Sequence, residues 1–146
     1  MKKMSALLLS LLFITPPFSS VQAEEKPLSV WLNGEQIQFG QSEPFIENGA
    51  TLVPIHPLLE KLGVEVSWDE ATGTVSGAKE AHSFFLHIGN TSAMANDQAV
   101  KLEAAPKFIQ QVTYVPLRFV AEAVGYQVAW DPSLRQVTLT SGQVWL

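Results

Sequence analysis

The 146-residue sequence contains no cysteine. That removes disulfides, thiol nucleophiles and every cysteine-based metal site. A chain without disulfides must hold itself together by packing alone. A chain of this size buries about two-thirds of its surface on folding, enough for one proper core. If the chain is exported, the lack of cysteine fits a bacterial source, since many bacterial secreted proteins avoid it. Histidine is scarce as well: His56, His82 and His87 are the three in the chain. His82 and His87 lie five apart on one candidate strand, so they should point to opposite faces. A metal site needs three or four converging ligands, and neither a metal nor another cofactor is expected.

Positive charge is also in short supply. Nine basic residues stand against fourteen acidic ones. Long-range charge therefore gives no attraction to nucleic acid or to anionic lipid. The acidic residues are scattered, as on a solvated surface. No serine sits in a GxSxG setting, and no glycine-rich phosphate loop occurs.

There is no long apolar run. The longest opens the chain, from Ala6 to Ile14, after Lys2 and Lys3. It is far shorter than the roughly 20 residues that span a bilayer. Pro16 and Pro17 break it, and small and polar residues follow to Val21-Gln22-Ala23. This layout is that of a secretory signal peptide, residues 1–23, cleaved after Ala23. The mature chain, 24–146, is then expected outside the cytoplasm, secreted or wall-associated, with no membrane span. Without Lys2 and Lys3, seven basic residues face fourteen acidic ones, a net charge of about −7.

What is present is a repeat. Shifted by 62 residues, Pro44–Ser76 aligns with Pro106–Thr138 without a gap, and ten of the 33 positions are identical. The matched markers are Pro54/Pro116, Gly63/Gly125, Trp68/Trp130 and Asp69/Asp131 among others. These types fix backbone and core. Thr-x-Val-Pro reads as an extended piece that stops at proline, which donates no ladder hydrogen bond. Each proline suits the start of a helix. Leu58, Leu59 and Leu62 recur at helical spacing in one copy, and Leu117, Val120, Ala121 and Val124 in the other. Gly63 and Gly125 are expected to close these helices.

An alternating strand follows each glycine. Val64, Val66 and Trp68 share one face, as do Tyr126, Val128 and Trp130. Large aromatics dominate cores, so Trp68 and Trp130 are expected to be buried. Asp69 and Asp131 open turns, where a side chain of this type bonds its own backbone. Hairpins are expected ahead of each helix. Asn33-Gly34 gives the strongest signal, and Asn96-Asp97 the second. Ala81–Ile88 is a further strand. With about ten short strands and two helices the fold class is α+β, mainly antiparallel sheet. It is built from two β-β-α-β-β repeats, about 29–77 and about 91–140, in one intertwined domain.

Asn33-Gly34, Pro44–Pro54, Leu62-Gly63 and Val66–Asp69, with Tyr114–Gly125 and Val128–Asp131 in the second copy, carry a family pattern. In these motifs the chain resembles the copper amine oxidase N-terminal-like domain over about Ser29–Thr140. The resemblance implies a strand-rich stalk unit wrapped on a helix, separate from the copper-containing catalytic part. Similar domains occur in exported bacterial proteins beside wall-binding or enzymatic modules. The second copy departs from the pattern at Gln110-Gln111-Val112, where Asn-Gly is expected, which puts the turn there in doubt. The oxidase chemistry needs a tyrosine-derived cofactor after asparagine and three histidine ligands. Tyr114 and Tyr126 follow Thr113 and Gly125 instead.

Three functional readings stand at this point. The first is a non-catalytic module of the cell envelope, binding cell-wall polymer or another exported protein, or acting as a spacer. The second is an exported regulator or escort of an extracellular enzyme. The third is an enzyme of unfamiliar type using Asp69 and Asp131 as a carboxylate pair. For binding, Trp31 and Trp145 are the exposed aromatic candidates. Arg118, the basic residue of the second helix, is placed to pair with Glu122.

Overall fold

The computed structural model describes residues 26–141. The signal-peptide segment and Trp145 lie outside the described residues. Thirteen strands and two helices are seen among those described. The first copy runs through β1 (Ser29–Leu32), β2 (Glu35–Gln36), β3 (Phe45–Glu47), β4 (Ala50–Pro54), α1 (Ile55–Leu62), β5 (Glu65–Asp69) and β6 (Thr74–Lys79). β7 (His82–His87) links it to the second copy. That copy runs through β8 (Ser92–Ala95), β9 (Gln98–Lys101), β10 (Lys107–Ile109), β11 (Val112–Pro116), α2 (Leu117–Ala123), β12 (Tyr126–Asp131) and β13 (Gln136–Ser141). The class is α+β with mainly antiparallel sheet. Each copy also carries one more hairpin ahead of its helix than the pattern suggested, β3–β4 and β10–β11.

Both helices start directly after the repeated proline. Pro54 and Pro116 end their strands at φ −58° and −63° and hand over to Ile55 and Leu117. Pro57 falls in the first turn of α1, where its missing N–H has no intrahelical partner to lose. Helix α1 buries Ile55, Leu58, Leu59 and Leu62, a single stripe at i, i+3, i+4 and i+7. Helix α2 is buried on nearly all sides, leaving Arg118 and Glu122 exposed. Gly63 closes α1 in the left-handed region at φ 73°. Helix α2 ends at Val124, with Gly125 next at φ 93°. The Lys79 ammonium donates to the Leu62 carbonyl at 2.7 Å and to the Tyr126 hydroxyl at 2.9 Å. A cation thus sits at the negative end of α1 and ties it to a strand of the second copy.

The sheets mix the two copies. The order β12-β13-β1-β2 joins the closing hairpin of the second copy to the opening hairpin of the first. The order β5-β6-β7-β8-β9 joins the closing hairpin of the first to the opening hairpin of the second. The order β10-β11-β4-β3 pairs the strands that precede the helices. Val53 faces Val115 across that seam. The pairing of β1 with β13 is parallel, from Ser29 beside Gln136 to Leu32 beside Leu139. The other pairings are antiparallel among the described residues. One main core collects Val30, Val53, Leu58, Leu86, Val120 and Leu139 from both copies. Phe84, fully buried, meets Phe119 edge-on at 6.0 Å between ring centres.

Candidate functional site

Trp68 and Trp130 are not in the core. They are 42% and 39% exposed. Val66 and Trp68 share one face of β5, and Val128 and Trp130 one face of β12, and each of these faces lines a groove open to solvent. Both strands are the outermost of their sheets among the described residues. Val64, just ahead of β5, does reach the core, whereas Val66 is exposed with Trp68.

Each tryptophan lines a groove. The groove at Trp68 has a volume of about 430 Å³ and takes Val66, Trp68 and Val75 from the closing hairpin of the first copy. Its opposite wall is Phe108, from the second copy. The groove at Trp130, about 330 Å³, takes Val128, Trp130 and Val137, with Ile46 of the first copy opposite. Phe108 lies 62 residues beyond Ile46. Helix α1 contributes His56 to the first groove, and α2 contributes Arg118 to the second. The two grooves are therefore the same site built twice, each from both copies. Phe108 is 58% exposed and Ile46 42%. Large apolar groups are thus left in water at equivalent places in the two copies.

Sequence reasoning did not single out Ile46 or Phe108. Their relation by the repeat shift was the available signal. Trp31 is half-buried on β1, and its indole N–H donates to Ser29 Oγ at 3.1 Å.

Asp69 accepts from the Ala71 N–H at 3.0 Å. Asp131 accepts from the Ser133 N–H at 3.0 Å and from the Ser133 hydroxyl at 2.7 Å. These bonds, led by that of the Ser133 hydroxyl, hold the Asp131 carboxyl below its ordinary value. The two carboxylates serve their own turns on different sheets, as expected of turn residues. Arg118 pairs with Glu122 at 3.0 Å on the exposed side of α2.

A copper centre does not fit these residues. His56 is on α1, and His82 and His87 occupy opposite faces of β7. His87 is engaged by the Thr74 hydroxyl at 3.0 Å. Among the described residues no three histidine or acidic side chains are grouped to hold a metal. The Tyr114 hydroxyl donates to the Glu43 carbonyl at 3.2 Å, and its ring packs on Phe45.

The model of the copper amine oxidase N-terminal domain family matches residues 31–139. A curated relative, a "Protease inhibitor" from Brevibacillus choshinensis, is 31% identical over 111 residues. That stretch is 75% of this chain and 33% of the relative, so the chain spans about a third of the relative's length.

Proposed function

Since the chain belongs to the copper amine oxidase N-terminal domain family, we propose that it is a non-catalytic binding domain working outside the cytoplasm, at the cell envelope. The duplicated tryptophan grooves carry this reading. A scaffold alone gains nothing from leaving Trp68 and Trp130 in water, since burying each ring would stabilise the fold by about 2 kcal/mol or more. The partner is cell-wall polymer or another exported protein. The signal-peptide layout of residues 1–23 supports export.

The test is retention of the purified chain on isolated cell wall and on immobilised secreted proteins. The double variant W68A/W130A should fold normally, because both rings are exposed, and should lose the retention. Retention by neither material would leave a spacer role.

A second reading is favoured by the relative from Brevibacillus choshinensis: regulation of an exported enzyme. Its test is direct. The chain should slow substrate cleavage by an extracellular protease, and W68A/W130A should not. An unchanged cleavage rate across extracellular proteases would dismiss it.

A further inference from the structure

We propose that the outer edge of β5 receives an extended polypeptide segment by strand addition, and that the segment alternates apolar with basic residues. The inference rests on the grooves being contact surfaces and narrows the partner to a protein.

Three observations combine. First, β5 has β6 as its single neighbour among the described residues, and all five of its residues are exposed. An edge strand presents a row of unpaired backbone N–H and C=O groups. An added strand takes these up, and pockets for alternate side chains give specificity. Second, the pocket is present. Val66 and Trp68 point into the groove faced by Phe108. By the two-residue period, Glu65, Ser67 and Asp69 point to the other face. Third, the two faces differ in chemistry. Cross-strand neighbours interact directly. Residues of the incoming strand beside Val66 and Trp68 are therefore apolar. Those beside Glu65 and Asp69 are lysine or arginine.

The same charges argue against other occupants. Pairing β5 with β5 of a second copy would bring acidic side chains together, which destabilises such a pair. A glycan would stack on the aromatic rings but would leave the backbone edge of β5 and the aliphatic wall of Val66 unused. The equivalent edge, β12, carries Gln127 and Ala129 where β5 has Glu65 and Ser67. It should accept a strand with less preference for charge, and it serves as an internal control.

The experiment uses the full chain, ¹⁵N-labelled, and two synthetic heptapeptides, one alternating Lys and Val and the other Glu and Val. The Lys–Val peptide should shift the amide signals of Glu65–Asp69 and slow their hydrogen exchange. The Glu–Val peptide should do so far less. W68A should weaken Lys–Val binding about ten-fold or more. E65K should weaken it about two- to five-fold, and less at high salt.

Equal response to both peptides, indifference to E65K, or no response at millimolar peptide would overturn the proposal. So would a soluble cell-wall glycan fragment that moves these signals when the peptide does not. If isolated wall or secreted proteins still retain the chain while the peptide leaves β5 untouched, the strand-addition idea falls alone. If retention fails too, the binding-domain reading falls with it.

Discussion

The side chain of Asn96 bridges two parts of the chain: its Nδ2 donates to the Ala123 carbonyl at 2.9 Å, while its Oδ1 accepts from the Ser83 N–H at 2.9 Å. Ala123 is the last residue of α2, so an otherwise unpaired helix carbonyl is satisfied by a hairpin turn. Asn96 does this from the left-handed region, at φ 50°.

Asn96→Ala should therefore remove two hydrogen bonds and place a methyl side chain where asparagine is tolerated better. A loss of about 2–3 kcal/mol is expected. Asn96→Gly keeps the backbone freedom and loses only the bonds, so it should cost less. Urea unfolding of both variants gives the two contributions separately. Equal losses would show that the left-handed backbone at this position carries no cost.

The turn at Gln110-Gln111 should be improvable. These residues sit at φ 50° and 68°, almost the same values as Asn48 and Gly49 in the first copy, at 51° and 80°. The fold thus keeps the turn although the residues are wrong for it. Replacing the pair by Asn-Gly should stabilise the protein by about 1–2 kcal/mol. Thermal unfolding would register this as a rise of several degrees in Tm.

Gly77 leaves room for Phe84. A methyl group there would land on the Phe84 ring and within 3.0 Å of Val64 Cγ1. Gly77→Ala should cost about 1–3 kcal/mol by overpacking. Phe84→Leu in the same chain should recover part of it, so the double variant falls short of additivity. Denaturant midpoints of the single and double variants measure the coupling. Additive losses would mean that the ring is not what occupies this space.

Asp131 gives a pH signature. Its folded value is lowered, first by the Ser133 hydroxyl and then by the Leu134 N–H. A carboxylate lowered in the folded state stabilises at pH above its ordinary value, 3.8. That contribution is lost as the pH falls through the folded value. Titration followed by NMR should place Asp131 below 3.8, and Ser133→Ala should move it back up. A titration unaffected by Ser133→Ala would contradict the assigned cause.

Much of the fold was legible because local rules fix it. Proline ends β4 and β11, glycine follows both helices, and Asn33-Gly34 turns the first hairpin at φ 49° and 86°. Asp69 and Asp131 bond their own turns. What was not legible depends on distant partners. Alternation around Trp68 and Trp130 shows that two faces exist, but what packs over each face, here the far wall of a groove open to solvent, is decided by the other copy. The parallel β1–β13 pairing likewise depends on residues more than a hundred positions apart, and no local pattern encodes it. The grooves needed the same knowledge, since Phe108 meets Trp68 only after the copies interlock.

The direction of the β1–β13 pair has a mechanical consequence. Tension applied through the two flanking segments would draw β1 back towards Ser29 and β13 forward towards Ser141. The strands are parallel, so these pulls run in opposite senses along one ladder. Its hydrogen bonds, from Ser29/Gln136 to Leu32/Leu139, are then loaded together in shear rather than unzipped one after another. A fold closed in this way resists stretching at the seam where its first and last described strands meet.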